Sequence, residues 1–324
     1  MNKICYGCGA PFQSEDKDKK GYVPENKIND AVYCMRCFRM MHYGEQTSVD
    51  TPKDAKEIIR KVNKDNKYVI FLVDYLNINK YVMDLFQSIN NEKLLVINKG
   101  ELLPDNITYD MLKNYVKDVY NINAPIKVKG GTANHGVKSV YKYLMDEGIH
   151  EAYLLGISNS GKSTFINDLA DVLESKINRI NTNKHANTTL DFMRVKLNNE
   201  LTLIDSPGFI MPNSLNNDVT NKDIRELSYN MKDDECIQLL NNKYFIKVSN
   251  GTPITFYTNY ESDNLIKKYF KEVELSDEIT IKANHDLVIY GIGIIRFKNE
   301  TTIKLNIPSD NYEIRPSIFG GIYE

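Results

Sequence analysis

Residues 156–164, GISNSGKST, match the pattern of a phosphate-binding loop, in which backbone N–H groups surround phosphate oxygens. Gly156 and Gly161 let the backbone curl, Lys162 supplies a positive charge to the outer phosphates, and Ser163 offers a hydroxyl to Mg²⁺. An apolar run, AYLLGI, precedes the loop, and a helical pattern, STFINDLADVL, follows it. This strand–loop–helix context predicts a nucleotide site whose further loop members are Asn159, Ser160 and Thr164.

The segment DSPG follows the apolar run LTLID, 42 residues after Ser163. Asp205 would hold Mg²⁺ through water, and the N–H of Gly208 would sense the terminal phosphate. The alternative is an ordinary turn that closes a strand. The phosphate loop at this distance favours the switch interpretation.

Between these motifs lies HANTTLDF, where a threonine could close over Mg²⁺ and the γ-phosphate. We assign that role to Thr189, with Thr188 as the alternative. A polar loop whose threonines contact only water is the other interpretation. Together with Lys162 and Gly208, Thr189 completes the predicted catalytic group.

The segment NKGE at the end of the apolar run KLLVIN has the residues that read guanine. Asn98 would hold the base edge, Lys99 would pack over the ring, and Glu101 would accept from the ring N–H and the exocyclic amine. Glu101 stands where Asp is usual, which keeps the acceptor pair but adds a methylene. Thirty residues on, Thr132 and Ala133 could support the base through a main-chain N–H.

The order of these motifs is unusual, because the base-reading segment precedes the phosphate loop. A parallel sheet tolerates such a rearrangement, since the termini of these domains lie near each other at the surface. The sequence therefore predicts a circularly permuted nucleotide-binding domain. In that order the DSPG switch leads directly into the C-terminal region.

Two Cys-x-x-Cys pairs near the start of the chain have the spacing of a single tetrahedral zinc site. The four predicted ligands are Cys5, Cys8, Cys34 and Cys37. Redox pairs and an iron–sulfur site are the alternatives. The segment RCFRMMHY, which begins at Arg36, could grip RNA by phosphate contact and stacking, or could equally be a helix packing on the next domain.

Composition narrows the class of protein. The 324 residues are enough for two or three domains, and a net charge of −2 excludes a globally basic nucleic-acid binder. No apolar stretch approaches the 18 residues of a membrane span, so we expect a cytoplasmic protein with no membrane partner.

Apolar runs and amphipathic stretches alternate between residues 51 and 212, which predicts an α/β fold: a parallel sheet with helices on both faces. We predict a zinc-binding module at 1–47, the permuted domain at 48–212 and an α+β domain, mostly antiparallel, at 213–324. Within the last, SDNLIKKYFKEVE (residues 262–274) predicts a helix. The predicted helices of the permuted domain lie near 54–63, 79–90, 108–120, 136–147 and 162–174.

Taken together, these motifs resemble the YqeH-type circularly permuted GTPases, factors for assembly of the small ribosomal subunit. The segments that carry the resemblance are CYGCG, CMRCFRMMHY, NKGELLP, NSGKST, DSPGF, DLVIYGIGIIRF and IRPSIFGG. The resemblance implies GTP and GDP as ligands, Mg²⁺ and Zn²⁺ as metals, and the small ribosomal subunit, its precursor or rRNA as partners. We expect a monomer.

The resemblance also implies two roles near the phosphates. Asn159 occupies the position where related GTPases help to hold K⁺. Phe209 stands where many GTPases carry the glutamine that orients the attacking water, which implies slow intrinsic hydrolysis; core packing is the other reading of Phe209. Ser160 and the HANTT segment depart from the family pattern, which also favours low activity.

Three hypotheses of function follow. The first is a zinc-bearing GTPase, a hydrolase that acts as a switch on rRNA or a pre-ribosomal particle. The second is a non-catalytic RNA-binding protein that uses guanine nucleotide structurally. The third is an ATP-utilising enzyme, which requires that Glu101 does not read guanine.

Overall fold

The structure is a computed structural model that describes residues 3–5, 10–17, 19–31, 33–35, 54–130, 135–174, 178–181, 192–216, 224–259, 266–269, 275 and 277–320. Seven strands form its first sheet. They are β1 (Tyr68–Asp74), β2 (Lys93–Asn98), β3 (Ile126–Val128), β4 (Glu151–Gly156), β5 (Asn178–Asn181), β6 (Met193–Lys196) and β7 (Thr202–Asp205).

The strand order of this sheet is β3-β2-β1-β4-β7-β6-β5. The pairs β2–β3, β1–β4 and β4–β7 are parallel, whereas β6 pairs antiparallel with both β7 and β5. The sheet is therefore mixed: the predicted parallel strands are present, and two antiparallel strands extend one edge. Parallel neighbours need helical crossovers, whereas the short connection between β6 and β7 suffices for an antiparallel pair.

The five predicted helices of the permuted domain are confirmed. They are α1 (Ala55–Val62), α2 (Lys80–Gln87), α3 (Tyr109–Tyr120), α4 (His135–Asp146) and α5 (Lys162–Val172). Side-chain oxygens of Asp54 and Thr108 accept from backbone N–H groups at the starts of α1 and α3.

Helices cover both faces of the first sheet. Apolar residues of α4 and α5 pack in one core with Ile70 and Leu72 of β1. Phe71 points to the opposite face, since side chains alternate along a strand. There its ring lies 5.6 Å from that of Phe86 in α2.

The C-terminal residues form two five-stranded antiparallel sheets. One has the order β12-β9-β10-β16-β13 and the other β17-β14-β15-β11-β8. Their strands are β8 (Arg225–Asn230), β9 (Cys236–Leu239), β10 (Tyr244–Val248), β11 (Pro253–Thr258), β12 (Ile266–Tyr269), β13 (Asp277–Ile281), β14 (His285–Ile289), β15 (Gly293–Phe297), β16 (Thr301–Leu305) and β17 (Tyr312–Pro316). Apolar side chains from both sheets share one core.

The helix predicted over residues 262–274 is wrong where the structure describes that segment. Ile266–Tyr269 form β12, which pairs antiparallel with β9 from Ile266 opposite Leu239 to Tyr269 opposite Cys236. Backbone pairing with a neighbouring strand has overridden the local helical pattern, as tertiary context commonly does.

The chain folds into two compact units. The first contains Met1–Val73, Leu85–Asn98 and Ala124–Ile210, and the second contains Asp74–Asp84, Lys99–Asn123 and Met211–Glu324. The second unit thus includes α3 and the residues that directly follow β1 and β2. Among the described residues, no helix has the length and apolar character needed to cross a membrane.

Candidate functional site

The phosphate loop joins the end of β4 to the start of α5. Gly161 caps α5 with a φ of +90°, a conformation that favours glycine. A Cβ on Gly156 would lie 2.3 Å from the carbonyl oxygen of Leu72, and a Cβ on Gly161 would lie 2.2 Å from Nδ2 of Asn98. Both glycines are therefore required by close packing against the neighbouring strands.

Lys162 is the first residue of α5, and its Nζ donates a hydrogen bond to the carbonyl oxygen of Gly156 at 3.0 Å. Burial lowers the pKa of Lys162, and the negative charge of Asp205 partly opposes that shift. Ser163 and Thr164 follow in the first helical turn with exposed side chains. The positive end of α5 and this ammonium group together favour an anion at the loop.

The DSPG segment lies against the phosphate loop. The N–H of Ser158 donates to the carbonyl oxygen of Phe209 at 2.8 Å, and Ile157 and Phe209 form a parallel bridge. A Cβ on Gly208 would lie 2.9 Å from Oγ of Ser158 and 3.2 Å from Nζ of Lys162. The structure thus brings Gly208 and Lys162 together, as the switch interpretation requires.

Phe209 is fully buried, and its ring centroid lies 5.9 Å from that of Phe71. This is the core-packing role considered from the sequence. Phe209 directly follows Gly208, and a phenylalanine side chain has no polar group with which to orient a water molecule.

Asn98, the last residue of β2, reaches the phosphate loop directly. Its Nδ2 donates to the carbonyl oxygen of Ser160 at 2.9 Å, and Asn98 is only 3% exposed. Oδ1 of Asn98 and Oγ of Ser160 are buried and have no hydrogen-bond partner among the described residues. Buried polar atoms of this kind normally find partners, so these two fit a site that binds a polar ligand.

Lys99 and Glu101 continue the base-reading segment. Lys99 has a left-handed backbone with φ of +61° and caps the short 3₁₀ helix Gly100–Leu102. Glu101 lies in that helix with an exposed side chain. Burial raises the pKa of Tyr109 and the charge of Glu101 adds to the shift, so Glu101 lies near the start of α3.

An ion pair that joins the end of β3 to α5 was not predicted from the sequence. Nζ of Lys129, just after β3, pairs with Oδ2 of Asp168 in α5 at 2.9 Å, and both side chains are largely buried. Gly136 allows α4 to start close by, because a Cβ there would lie 2.7 Å from Cα of Lys129. The pair links the loop that begins after β3, which leads to Thr132 and Ala133, to α5, the helix that follows the phosphate loop. No local signal predicts it, since its members are 39 residues apart.

Several predicted residues lie outside the described part of the chain: Thr132, Ala133, Thr188, Thr189, Cys8 and Cys37. Cys5 and Cys34 are described. Both are buried, and the N–H of Cys34 donates to Sγ of Cys5 at 3.1 Å. Within the described residues, no group of three or more His, Cys, Asp or Glu side chains is placed to hold a metal ion.

The fold and site define a class of protein. A loop with the phosphate-binding pattern joins β4 to α5, the DSPG segment adjoins it, and the Asn98 side chain reaches it from a strand earlier in the chain. These are the parts of a phosphate-loop GTPase fold in circularly permuted order.

The chain belongs to the RsgA GTPase family, whose model matches residues 46–214, about half of the chain. The resemblance to YqeH-type circularly permuted GTPases is confirmed. "Uncharacterized protein YqeH" from Bacillus subtilis is 29% identical over 240 residues, which cover 69% of this chain and 64% of the relative. "Small ribosomal subunit biogenesis GTPase RsgA" from Bacillus velezensis is 24% identical, covering 70% of this chain and 80% of the relative.

A plant relative is longer. "NO-associated protein 1, chloroplastic/mitochondrial" from Arabidopsis thaliana is 26% identical over 53% of this chain and 36% of its own length. The chain thus spans less than two thirds of the Bacillus subtilis YqeH protein and about a third of the plant protein.

Proposed function

We propose that this protein is a GTP-binding and GTP-hydrolysing switch that acts in ribosome biogenesis, in assembly of the small subunit. The observation that carries the proposal is the convergence of Gly208 on Lys162 and of Asn98 on Ser160. The first contact supports a role for Gly208 as a switch glycine, and the second supports a role for Asn98 in reading the base beside the same loop. The printed name of the Bacillus velezensis relative supports the ribosomal role.

The phosphate loop would bind the β- and γ-phosphates through its N–H groups and Lys162. Ser163, Asp205 and Thr189 would hold Mg²⁺, which neutralises phosphate charge when bound. The N–H of Gly208 would donate to the γ-phosphate, and water would be the nucleophile. The proximity of Gly208 to Nζ of Lys162 supports this arrangement.

Asn98, Lys99 and Glu101 would read guanine, with main-chain support from Thr132 and Ala133. Nδ2 of Asn98 has two protons, so it would keep its bond to the Ser160 carbonyl oxygen and donate its second proton to an acceptor on the guanine edge. Glu101 is exposed and thus open to a ligand.

The N-terminal cysteines would bind Zn²⁺ as a structural site formed by Cys5, Cys8, Cys34 and Cys37. The short N–H to sulfur contact between Cys34 and Cys5 supports this assignment, since donors to sulfur stabilise the thiolate form that binds metal. Asn159 would contribute to a K⁺ site beside the phosphates.

We divide the chain functionally into a zinc module at 1–47, the GTPase at 48–212 and a C-terminal region at 213–324 that contacts rRNA or protein. The proposed partner is the small ribosomal subunit or its precursor, in the cytoplasm.

The base selectivity of the purified chain tests this proposal. Fluorescent GDP, ADP and XDP are titrated in K⁺ buffer against the wild type, Glu101→Asp and Glu101→Gln, with Glu147→Gln as an exposed control. We expect GDP to bind at least about a hundredfold more tightly than ADP, a difference of about 2.7 kcal/mol. Glu101→Gln should weaken GDP and favour XDP, because the xanthine ring has an acceptor where guanine has its amine. Equal binding of GDP and ADP by the wild type would contradict the proposal.

A second candidate function is that of an RNA-binding protein that binds guanine nucleotide but does not hydrolyse it. The buried Phe209 favours this candidate, because the residue after Gly208 offers no polar side chain to orient water. Single-turnover hydrolysis with and without purified small subunits separates the two. Hydrolysis that the subunit stimulates supports the switch, whereas tight GTP binding with no hydrolysis in either condition supports the second candidate.

A further inference from the structure

The second compact unit contains more than the C-terminal residues. Asp74–Asp84 follows β1, and Lys99–Asn123 begins with the base-reading residues Lys99 and Glu101 and continues into α3. Asn98 belongs to the first unit and its neighbour Lys99 to the second. The conformation of the base-reading loop is therefore set in part by whatever holds these two segments inside the second unit.

The sheet that contains β17, β14 and β15 has a polar face. Its other face supplies apolar side chains such as Leu287 to the core of the sandwich. On the polar face, Asp286 of β14 stands opposite Arg315 of β17 on one side and Arg296 of β15 on the other. Asp286 is fully buried and Arg315 is 5% exposed.

Arg315 connects this face to the segment after β1. Its Nη1 donates to the carbonyl oxygen of Ile78 and lies 3.3 Å from Oε1 of Glu313. Oε2 of Glu313 in turn accepts from the N–H of Lys80 at 2.7 Å. Arg315 and Glu313, two residues apart on β17, thus bind the backbone on both sides of Asn79.

Arg315 also connects the sheet to α3. Its Nη1 donates to the hydroxyl oxygen of Tyr120, and that hydroxyl donates to Oε1 of Glu313 at 2.6 Å. One turn and a half earlier, the hydroxyl of Tyr115 donates to the carbonyl oxygen of Pro316 at 2.7 Å. The guanidinium lies over both tyrosine rings, at 5.6 Å and 6.0 Å from their centroids. Helix α3 is fastened by the hydroxyl groups of Tyr115 and Tyr120, not by apolar contact alone.

The base-reading loop itself also meets C-terminal residues. Lys99 and Leu102 line a shallow surface depression together with Ile224 and Asn259, which flank β8 and β11. Asp74, Tyr75 and Leu76 complete its wall. Phe319 packs edge-on against Tyr75, with centroids 6.4 Å apart, and stacks on Tyr257 of the sheet at 4.2 Å.

We propose that Arg315 is a positioning residue for base recognition. Through Tyr120 and Glu313 it holds the segment that carries Lys99 and Glu101, and through Ile78 it holds the segment after β1, whose residues Asp74, Tyr75 and Leu76 line the same depression as Lys99. A ligand that binds the C-terminal sheets and shifts β17 would then alter guanine affinity, and guanine binding would alter affinity for that ligand by the same factor. The inference rests on the proposed reading of guanine by Asn98, Lys99 and Glu101.

The test uses conservative changes within this network. Arg315→Lys keeps the charge but removes the planar guanidinium that lies over the Tyr115 and Tyr120 rings and whose Nη1 donates to Ile78 and Tyr120. Tyr120→Phe removes only the hydroxyl between Arg315 and Glu313. Tyr244→Phe is the matched control, because it removes a hydroxyl from β10 in the other sheet. Each variant is checked for wild-type circular dichroism, and affinities for GDP, ADP and inorganic pyrophosphate are then measured on the full chain.

We expect both network variants to lose about tenfold in GDP affinity, a change of about 1.4 kcal/mol, with ADP and pyrophosphate affinities within about twofold of the wild type. The control should match the wild type for all three ligands. Folded variants that keep the wild-type ratio of GDP to ADP affinity would overturn the inference, and so would an equal loss for all three ligands. A wild-type chain that binds GDP and ADP equally would instead contradict the guanine reading itself, and the inference with it.

Discussion

The amide of Asn98 donates to the carbonyl oxygen of Ser160 at 2.9 Å, across 62 residues of sequence. This bond joins the end of β2 to the phosphate loop and fixes the position of the Asn98 side chain. The NKGE and GISNSGKST segments are distant in the chain, and this hydrogen bond brings them together.

Asn98→Asp should therefore damage nucleotide binding. The carboxylate would replace the donor with an acceptor that faces the Ser160 carbonyl oxygen in a buried position, which costs about 1–3 kcal/mol. We expect GDP affinity to fall at least about tenfold, measured by fluorescent GDP titration. Asn90→Asp, at an exposed asparagine, is the control and should bind GDP normally. Unchanged GDP affinity in Asn98→Asp would show that this bond does not organise the site.

Gly161→Ala should abolish GDP binding. A methyl group there would lie 2.2 Å from Nδ2 of Asn98, and φ is +90°. Gly148→Ala is the matched control, because Gly148 also has a positive φ of +69° but nothing lies within 4 Å of its Cβ position. The control should lose only about 1 kcal/mol of stability and keep its GDP affinity. If both variants bind GDP alike, the crowding at Gly161 has no role in the site.

Gly208→Ala should slow hydrolysis more than it weakens binding. The added methyl would lie 2.9 Å from Oγ of Ser158, 3.1 Å from its Cα and 3.2 Å from Nζ of Lys162, so it would disturb the packing of Gly208 against the phosphate loop. We expect single-turnover GTP hydrolysis to fall about tenfold or more, while GDP affinity changes by only a few-fold. Gly251→Ala introduces similar crowding, 2.9 Å from the Met231 carbonyl oxygen, and should leave hydrolysis unchanged. Equal hydrolysis rates in the two variants would contradict the proposed role of Gly208.

Asp286 should make stability depend on pH. Burial raises the pKa of Asp286 to about 6, although the positive charges of Arg315 and Arg296 act in the opposite direction. A carboxyl whose pKa is raised by folding stabilises the folded state below its unfolded pKa, and this contribution is lost as the pH rises through about 6. At neutral pH the ionised group thus costs up to about 3 kcal/mol relative to acid.

Asp286→Asn removes this titration. We therefore expect the free energy of unfolding of the variant, minus that of the wild type, to increase between pH 4.5 and 7.5. Urea unfolding of both proteins at the two pH values measures the difference. A difference that does not change with pH would mean that Asp286 titrates as in the unfolded chain.

Loss of zinc should unfold the N-terminal residues. We expect a chelator, or Cys34→Ser, to release one equivalent of Zn²⁺ and to lower stability, since small metal-bound modules depend on the metal for folding. Cys236→Ser, at the cysteine of β9 outside the two pairs, should retain the metal. Elemental analysis of the purified chains decides the matter, and zinc-free wild-type protein would contradict the assignment.

Local patterns were sufficient for most elements of the first sheet. The apolar runs at 68–74 and 93–98 became β1 and β2, and all five helices of the permuted domain lie within a few residues of their predicted bounds. Strands β5 and β6 were missed because they are short and lack a clear apolar run. The segment 262–274 has a helical pattern, yet Ile266–Tyr269 pair with β9, because a neighbouring strand offers hydrogen bonds that no local pattern reveals.

The motifs and their permuted order could be read from the sequence alone. Each motif is a short run in which the residue types and their spacing are themselves what the chemistry of the loop requires. Only the tertiary structure decided which distant residues meet. The bond from Asn98 to Ser160, the pair of Lys129 with Asp168 and the Arg315 network each join residues far apart in the chain. Such pairs depend on strand order and on the packing of whole helices and strands. The residue types show only that a donor, an acceptor or a charge is present, and not which distant partner it will meet.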